Sequence, residues 1–232
     1  MGEMSTVERV PDLVSIRRAL FSTYDKERLE ELVSVLREVA PACAYYATGG
    51  TYRALRGLLP DTAELVPLEQ YTGQPEMEGG LVKSLDYRIY LGLLSETYND
   101  AHHADLSRTG AVPFDLVVCN LYPFEEVVAG GADLETARAN IDIGGPTLIR
   151  AAAKNYHRVA VLSGPHQYEE MTQELRRNGG RLPLSQRYRL AREAFSYVAA
   201  YDVAIAKHLE QQNDPSFHAL YDVVKEEDKP HE

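Results

Sequence analysis

In the stretch Asn140–Asn155, NIDIGGPTLIRAAAKN, a carboxylate and a lysine bracket a Gly-Gly-Pro turn and an alanine-rich segment. Asp142 can take a proton, and Lys154 can give one or stabilise negative charge. The second residue type is scarce, since the chain has six lysines among its 24 basic residues. Arginine's pKa is too high for easy proton chemistry, whereas a lysine in a pocket can be tuned. Lys207, Lys225 and Lys229 read as solvated, which leaves Lys26, Lys83 and Lys154. Pro146 suits a first helical turn, and Asp142 before that turn is electrostatically placed to cap it. Cap and proton acceptor are both open readings. In a helix begun at Pro146, Lys154 lies ~12 Å further along. Asp142 and Lys154 then share a ligand only if it lies along the helix, or if the helix is short or distorted.

Other loops carry groups suited to an anion. Thr48-Gly49-Gly50-Thr51 opens a helix, and its amides and hydroxyls can hold a phosphate. Glycine is also the ordinary requirement of such a turn. STYDK adds Ser22 and Lys26, with Asp25 as the expected cap of the helix that follows. In GGLVKSLDYRIYLGLL, Lys83 and Ser84 follow two glycines in an apolar segment. Lys83 either snorkels to water or faces a pocket. CNLYPF presents Asn120 and Tyr122 at a strand end.

These loops need a frame, and the hydrophobic pattern supplies one. Strands are expected at RRALFST, CAYYAT, AELVPL, within FDLVVCNLYPF and at HRVAVLSG. Helices are expected at 25–40, 52–59, 132–140 and 165–178, with a long one over 184–211. Alternation of strands and helices predicts a parallel sheet covered on both faces. Ligands of such sheets bind at the carboxyl ends of the strands. Ser22–Lys26, Thr48–Thr51 and Asn120–Phe124 all follow strands, so three polar clusters fall on one edge.

The net charge of −11 argues against non-specific nucleic-acid or anionic-membrane binding, which needs clustered cations. It leaves room for a small anionic ligand. No apolar run reaches the ~18 residues of a membrane span, and the N-terminus lacks the core of a signal peptide. Cys43 and Cys119, far apart in apolar settings, read as buried free thiols. A cytoplasmic protein is the expectation.

Taken in order and spacing, DK, TGGT, YTGQPEM, GGLVKSL, DLVVCNLYPF, NIDIGGPTLIRAAAKN and AYDVAIAKHL resemble the IMP cyclohydrolase domain family. That domain is the N-terminal half of the bifunctional transformylase/cyclohydrolase that ends purine biosynthesis. The similarity runs from about Arg18 to Leu209. It implies a methylglyoxal-synthase-like (MGS-like) three-layer α/β/α fold with a mainly parallel sheet and a C-terminal helix. It also implies closure of 5-formamidoimidazole-4-carboxamide ribotide (FAICAR) to IMP and water, with no metal, no cofactor and a homodimer. Carried over residue by residue, Lys83, Tyr122, Asp142 and Lys154 form the catalytic group. Ser22, Lys26, Thr48, Gly49, Gly50 and Thr51 hold the phosphate, and Ser84, Asn120 and Gly144 the base.

The chain departs from the family pattern in two ways. Leu81 stands where the family usually has arginine, and Asp86-Tyr87 and Tyr90 where histidines and a proline are common. The chain also ends too early for a transformylase domain. The expected layout is therefore a lead over 1–17, a cyclohydrolase domain over 18–211 and a charged tail over 212–232, with a separate transformylase supplying substrate. A methylglyoxal-synthase-like lyase acting on a triose phosphate and a non-catalytic purine-nucleotide sensor are the competing readings. Retention of all four catalytic types favours chemistry over sensing.

Overall fold

The computed structural model describes residues 6–75, 77, 84–212 and 220–222. Lys83, Leu81, Lys225 and Lys229 lie outside the described residues, as does most of the expected tail. The described elements run β1 (Val14–Ser15), β2 (Arg18–Thr23), α1 (Leu29–Val39), β3 (Ala44–Ala47), α2 (Gly49–Leu58), β4 (Leu65–Pro67) and α3 (Leu68–Thr72). They continue with α4 (Tyr87–Leu94), α5 (Asp100–Thr109), β5 (Leu116–Asn120), α6 (Phe124–Ala129), α7 (Leu134–Ala139) and α8 (Gly144–Lys154). β6 (Ala160–Leu162), α9 (Tyr168–Arg177), β7 (Arg181–Leu182) and α10 (Leu184–Glu210) complete them. The contacts group the chain into two compact units, Met1–Leu121 with Ile143–Val198, and Tyr122–Asp142 with Ala199–Glu232.

The first unit contains a five-stranded sheet in the order β4-β3-β2-β5-β6. Every pairing in it is parallel. Alternate residues point to opposite faces. Ala19, Phe21, Tyr45, Ala47, Leu116, Val118, Ala160 and Leu162 bury one face in a core with Leu32 and Leu36 of α1, Leu55 of α2, Met171 and Leu175 of α9, and Leu190 of α10. Leu20, Tyr46, Val117 and Val161 are buried on the other, where α8 packs on β5 and β6, and α4 on α8. Burial on both faces explains the unbroken apolar strands.

The expected helix from Asp25 begins at Leu29 instead. Asp25 accepts the Glu27 N–H in a tight turn, and the cap position falls to Arg28 in the left-handed region at φ 55°. The competing local turn removed one helical turn. The antiparallel pair β1–β7 was not anticipated from the sequence, because two-residue strands carry no period.

Two buried arginines hold this unit together. Arg158, 7% exposed, donates to the carbonyls of Gly92, Ser95 and Phe114 and faces Asp115 at 3.4 Å. Asp115 also accepts the Arg17 and Arg18 amides at 2.9 and 3.0 Å. Burial pushes its carboxyl above the usual carboxylate range, against those amides and Arg158. Beside it, Asn155 donates to the Leu93 and Ser95 carbonyls. All of these groups lie at the amino edge of β5 and β6. Arg187, wholly buried, donates to five carbonyls: Pro11, Asp12, Tyr156, His157 and Leu182. Five donors and five acceptors offset the desolvation of its charge.

The second unit contains α6, α7 and the end of α10. Asp133 caps α7 by accepting the Thr136 N–H at 2.7 Å. Phe124 is buried with the rings of Tyr201 and His208 edge-on to it.

Candidate functional site

Register puts the polar clusters of the first unit side by side. Ser22 lies opposite Cys119 and Thr23 opposite Asn120, while the Thr48 N–H donates to the Phe21 carbonyl at 3.1 Å. The carboxyl ends of β2, β3 and β5 therefore form one polar edge, as the alternating pattern requires.

Within that edge some side chains build the loops and others face outward. Asn120 accepts the Tyr24 and Asp25 amides at 2.7 and 2.9 Å and donates to the Asp25 carbonyl at 2.8 Å. Its amide thus shapes the loop after β2. The Thr51 hydroxyl accepts the Thr23 N–H at 2.9 Å and donates to the Thr23 carbonyl at 3.1 Å. That pair fixes α2 against β2. The Lys26 ammonium folds back onto the carbonyls of Thr23 and Tyr24 at 3.2 and 3.0 Å, which holds its charge beside the edge.

Thr48 occupies the cap position of α2 without capping it. Its hydroxyl donates to Ser22 at 3.3 Å instead. Gly50 is the second residue of α2, and a β-carbon there would meet nothing within 4 Å. A helix N-terminus with an uncapped first turn, two adjacent hydroxyls and a lysine is suited to a phosphate monoester.

Ser84 and Gly144 are also brought together. Ser84 is buried, and a β-carbon on Gly144 would come within 2.6 Å of its hydroxyl oxygen. A side chain on residue 144 would therefore displace the Ser84 hydroxyl. α8 begins at Gly144, with Ile143 in the cap position and no side chain bonded there. The cap position expected for Asp142 is therefore held by its neighbour. Lys154 ends α8 and is exposed. It lies at the amino edge of the sheet, ~15 Å from Gly144 by helical rise. The first unit thus unites Ser22, Lys26, Thr48–Thr51 and Asn120 along one edge and joins Ser84 to Gly144, but it does not bring Lys154 to either group.

In the second unit Tyr122 is 48% exposed and Asp142 half-buried. The Asp142 N–H donates to the Tyr201 hydroxyl at 2.8 Å. Tyr201 belongs to AYDVAIAKHL but was not singled out from the sequence, where a helical tyrosine reads as core.

Asp86 accounts for one departure from the family pattern. It is buried, caps α4 through the Arg88 N–H, and accepts the Gln74 amide at 2.8 Å. Among the described residues, no helix is long and apolar enough to cross a membrane.

A parallel five-stranded sheet with helices on both faces defines the α/β class of this fold. The chain belongs to the MGS-like domain family, whose model matches residues 28–147. Residues 152–229 match the model described as the AICARFT/IMPCHase bienzyme. Among curated proteins, the "Bifunctional purine biosynthesis protein PurH" of Corynebacterium glutamicum (strain R) is 41% identical over 202 residues, which cover 87% of this chain and 37% of that protein. The protein of the same name from Synechococcus sp. (strain WH7803) is 44% identical over 199 residues, covering 85% of this chain and 36% of that protein. In Rhizobium leguminosarum bv. trifolii (strain WSM2304) the match is 36% identical and covers all of this chain and 44% of the relative. The chain thus spans less than half the length of these relatives. A solved structure described as "Crystal structure of ForH" is similar with a TM-score of 0.69 and 31% identity, over 82% of this chain and 95% of that one.

Proposed function

We propose that the protein is an IMP cyclohydrolase, closing FAICAR to IMP with loss of water in purine biosynthesis. The observation that supports this reading is the Ser22–Thr48 hydroxyl pair at the uncapped start of α2, an arrangement suited to a phosphate, in a chain similar along its length to PurH proteins. A triose-phosphate lyase would use the same cradle, but the matches to the bienzyme model and to PurH proteins favour a nucleotide.

In the reaction the carboxamide nitrogen attacks the formyl carbon and a C–N bond forms. The nitrogen gives up one proton and the formyl oxygen gains one, producing a carbinolamine. The hydroxyl is then protonated and leaves as water. The formamido nitrogen loses its proton as the ring C=N bond forms. Asp142 takes the carboxamide proton. Lys83 stabilises and protonates the oxygen, and Tyr122 donates a hydrogen bond to it as charge develops. Ser84, Asn120 and Gly144 border the base. Holding both reacting groups of one molecule in attack geometry supplies much of the remaining acceleration. Lys83, outside the described residues, and Lys154 both belong to the group on resemblance alone. Residues 18–211 form the catalytic domain in this reading, acting as a homodimer in the cytoplasm.

FAICAR turnover followed by ultraviolet absorbance, with IMP identified as product, tests the activity. Asp142→Asn is the most telling variant. It is expected to fold with a Tm near wild type, still bind IMP, and lose at least ~100-fold in kcat. A stable variant with full activity would remove the proton acceptor. In the same assay Lys83→Met should lower kcat severely with the fold intact, and wild-type turnover by Lys154→Met would take Lys154 out of the catalytic group.

A further inference from the structure

Within the second unit, one contact reaches the backbone of a reacting group of the proposed mechanism. The Tyr201 hydroxyl accepts the Asp142 N–H at 2.8 Å and donates to the Asn140 carbonyl at 3.4 Å. It therefore grips the backbone on both sides of Ile141. Tyr201 is buried, so its ring is held by packing. Phe124 meets that ring edge-on, with centroids 6.2 Å apart at 71°, and meets the His208 ring on its other contact at 5.7 Å. Phe124 in turn donates its N–H to the Tyr122 carbonyl at 2.8 Å. One side chain of α10 thus bonds to the segment bearing Asp142 and packs against the segment bearing Tyr122.

We propose that Tyr201 is a positioning residue for Asp142. The inference rests on the reading of Asp142 as proton acceptor. A carboxylate swings about bonds that start at its own Cα, and the Asp142 amide is one of the two backbone bonds fixing that Cα. Productive geometry for proton transfer tolerates only ~0.5 Å of error. A hydroxyl that holds the amide of the residue doing the transfer therefore acts on kcat through that residue. Substrate affinity, governed by the phosphate loops of the first unit, does not depend on it. Tyr201→Phe removes the hydroxyl and leaves the ring in contact with Phe124.

The test measures FAICAR turnover by four proteins: wild type, Asp142→Asn, Tyr201→Phe and the double variant. Tyr201→Phe is expected to lower kcat ~10-fold, the scale of one lost hydrogen bond, with KM little changed. In the Asp142→Asn background the same change is expected to have no further effect, because a residue acting only through Asp142 has nothing left to act on. An equal loss in both backgrounds would overturn the proposal. So would wild-type kcat in Tyr201→Phe beside a crippled Asp142→Asn, which leaves the reading of Asp142 standing. Full activity in Asp142→Asn would instead overturn that reading, and the proposal with it. Amide hydrogen exchange in the wild-type protein gives a result even if Tyr201→Phe does not fold. The Asp142 N–H should exchange slowly, and rapid exchange would overturn the proposal.

Discussion

At the amino edge of the parallel sheet, Arg158 and Asn155 donate into the carbonyls of Gly92, Leu93, Ser95 and Phe114, and Asp115 takes two amides and a guanidinium. At the carboxyl edge, the Ser22 and Thr48 hydroxyls touch only at 3.3 Å, the first turn of α2 has no cap, and Gly50 faces open space. The amino edge saturates its polar groups with fixed backbone partners. The carboxyl edge does the same at Asn120 and Thr51, but its Ser22 and Thr48 hydroxyls bond to each other instead. Polar residues alone therefore do not mark a site in this fold. What separates the Asp115–Arg158 cluster from the Ser22–Thr48 pair is whether backbone groups are its partners.

The largest effect expected from breaking that contrast lies at the amino edge. Arg158→Met strands the buried Asp115 carboxylate and several carbonyls. It should cost about 3–5 kcal/mol, the scale for removing one partner of a buried pair. Urea unfolding measures the loss, and a cost under about 1 kcal/mol would mean that water replaces the guanidinium without penalty.

A smaller effect is expected in alkali. Cys43 precedes β3 near Asp115, and burial pushes its thiol from 9.0 up to about 12. A group with a raised folded pKa stabilises fully below its unfolded pKa, and that contribution fades as pH climbs toward the folded value. Stability should therefore fall between about pH 9 and 12, by up to ~1.4 kcal/mol per pH unit for one proton. Cys43→Ala should flatten that slope in pH-dependent unfolding; an unchanged slope would assign the alkaline loss to the buried tyrosines Tyr45 and Tyr168, whose phenols burial also raises.

The smallest effect sharpens the comparison from the other edge. A β-carbon at Gly50 meets no neighbour, so Gly50→Ala should stabilise the free protein by about 0.5–1 kcal/mol. The same methyl would stand where a phosphate approaches the α2 amides. IMP at 100 times its Kd should add ~2.7 kcal/mol of stability to wild type, inosine much less, and Gly50→Ala should lose most of the IMP increment. Equal thermal shifts from IMP and inosine in wild type would remove the phosphate site.

The strands and the carboxyl-edge clusters were legible in the sequence because burial on two faces leaves unbroken apolar runs, and because loops after such strands share an edge. Residue types at the edge were legible too, but not their division of labour. Asn120 and Thr51 became loop and helix fasteners only once their partners, Asp25 and Thr23, were fixed in space. The helix expected from Asp25 failed because an aspartate turn and a helix cap share one signature. The distance from Gly144 to Lys154 was visible as helical rise, whereas the edge of the sheet at which Lys154 lies depended on the direction of α8. Tyr201 was hidden because its hydroxyl bonds an amide 59 residues away, a pairing with no characteristic spacing, whereas Asp86 has the ordinary cap spacing to the Arg88 N–H and was read only as a departure from the family pattern.

Arg187 has a consequence for the order of folding. Its carbonyl partners Pro11 and Asp12 lie 176 and 175 residues earlier in the chain, and Tyr156 and His157 lie 31 and 30 earlier. The guanidinium can leave water only when all these segments have met, since a half-bonded buried cation is costly. During synthesis the lead peptide emerges long before the helix that will hold it, and it must wait. Such a clasp closes late and contributes little to the rate of reaching the folded state. It is expected to slow escape from that state instead, so that Arg187→Met speeds unfolding while leaving the folding rate near wild type.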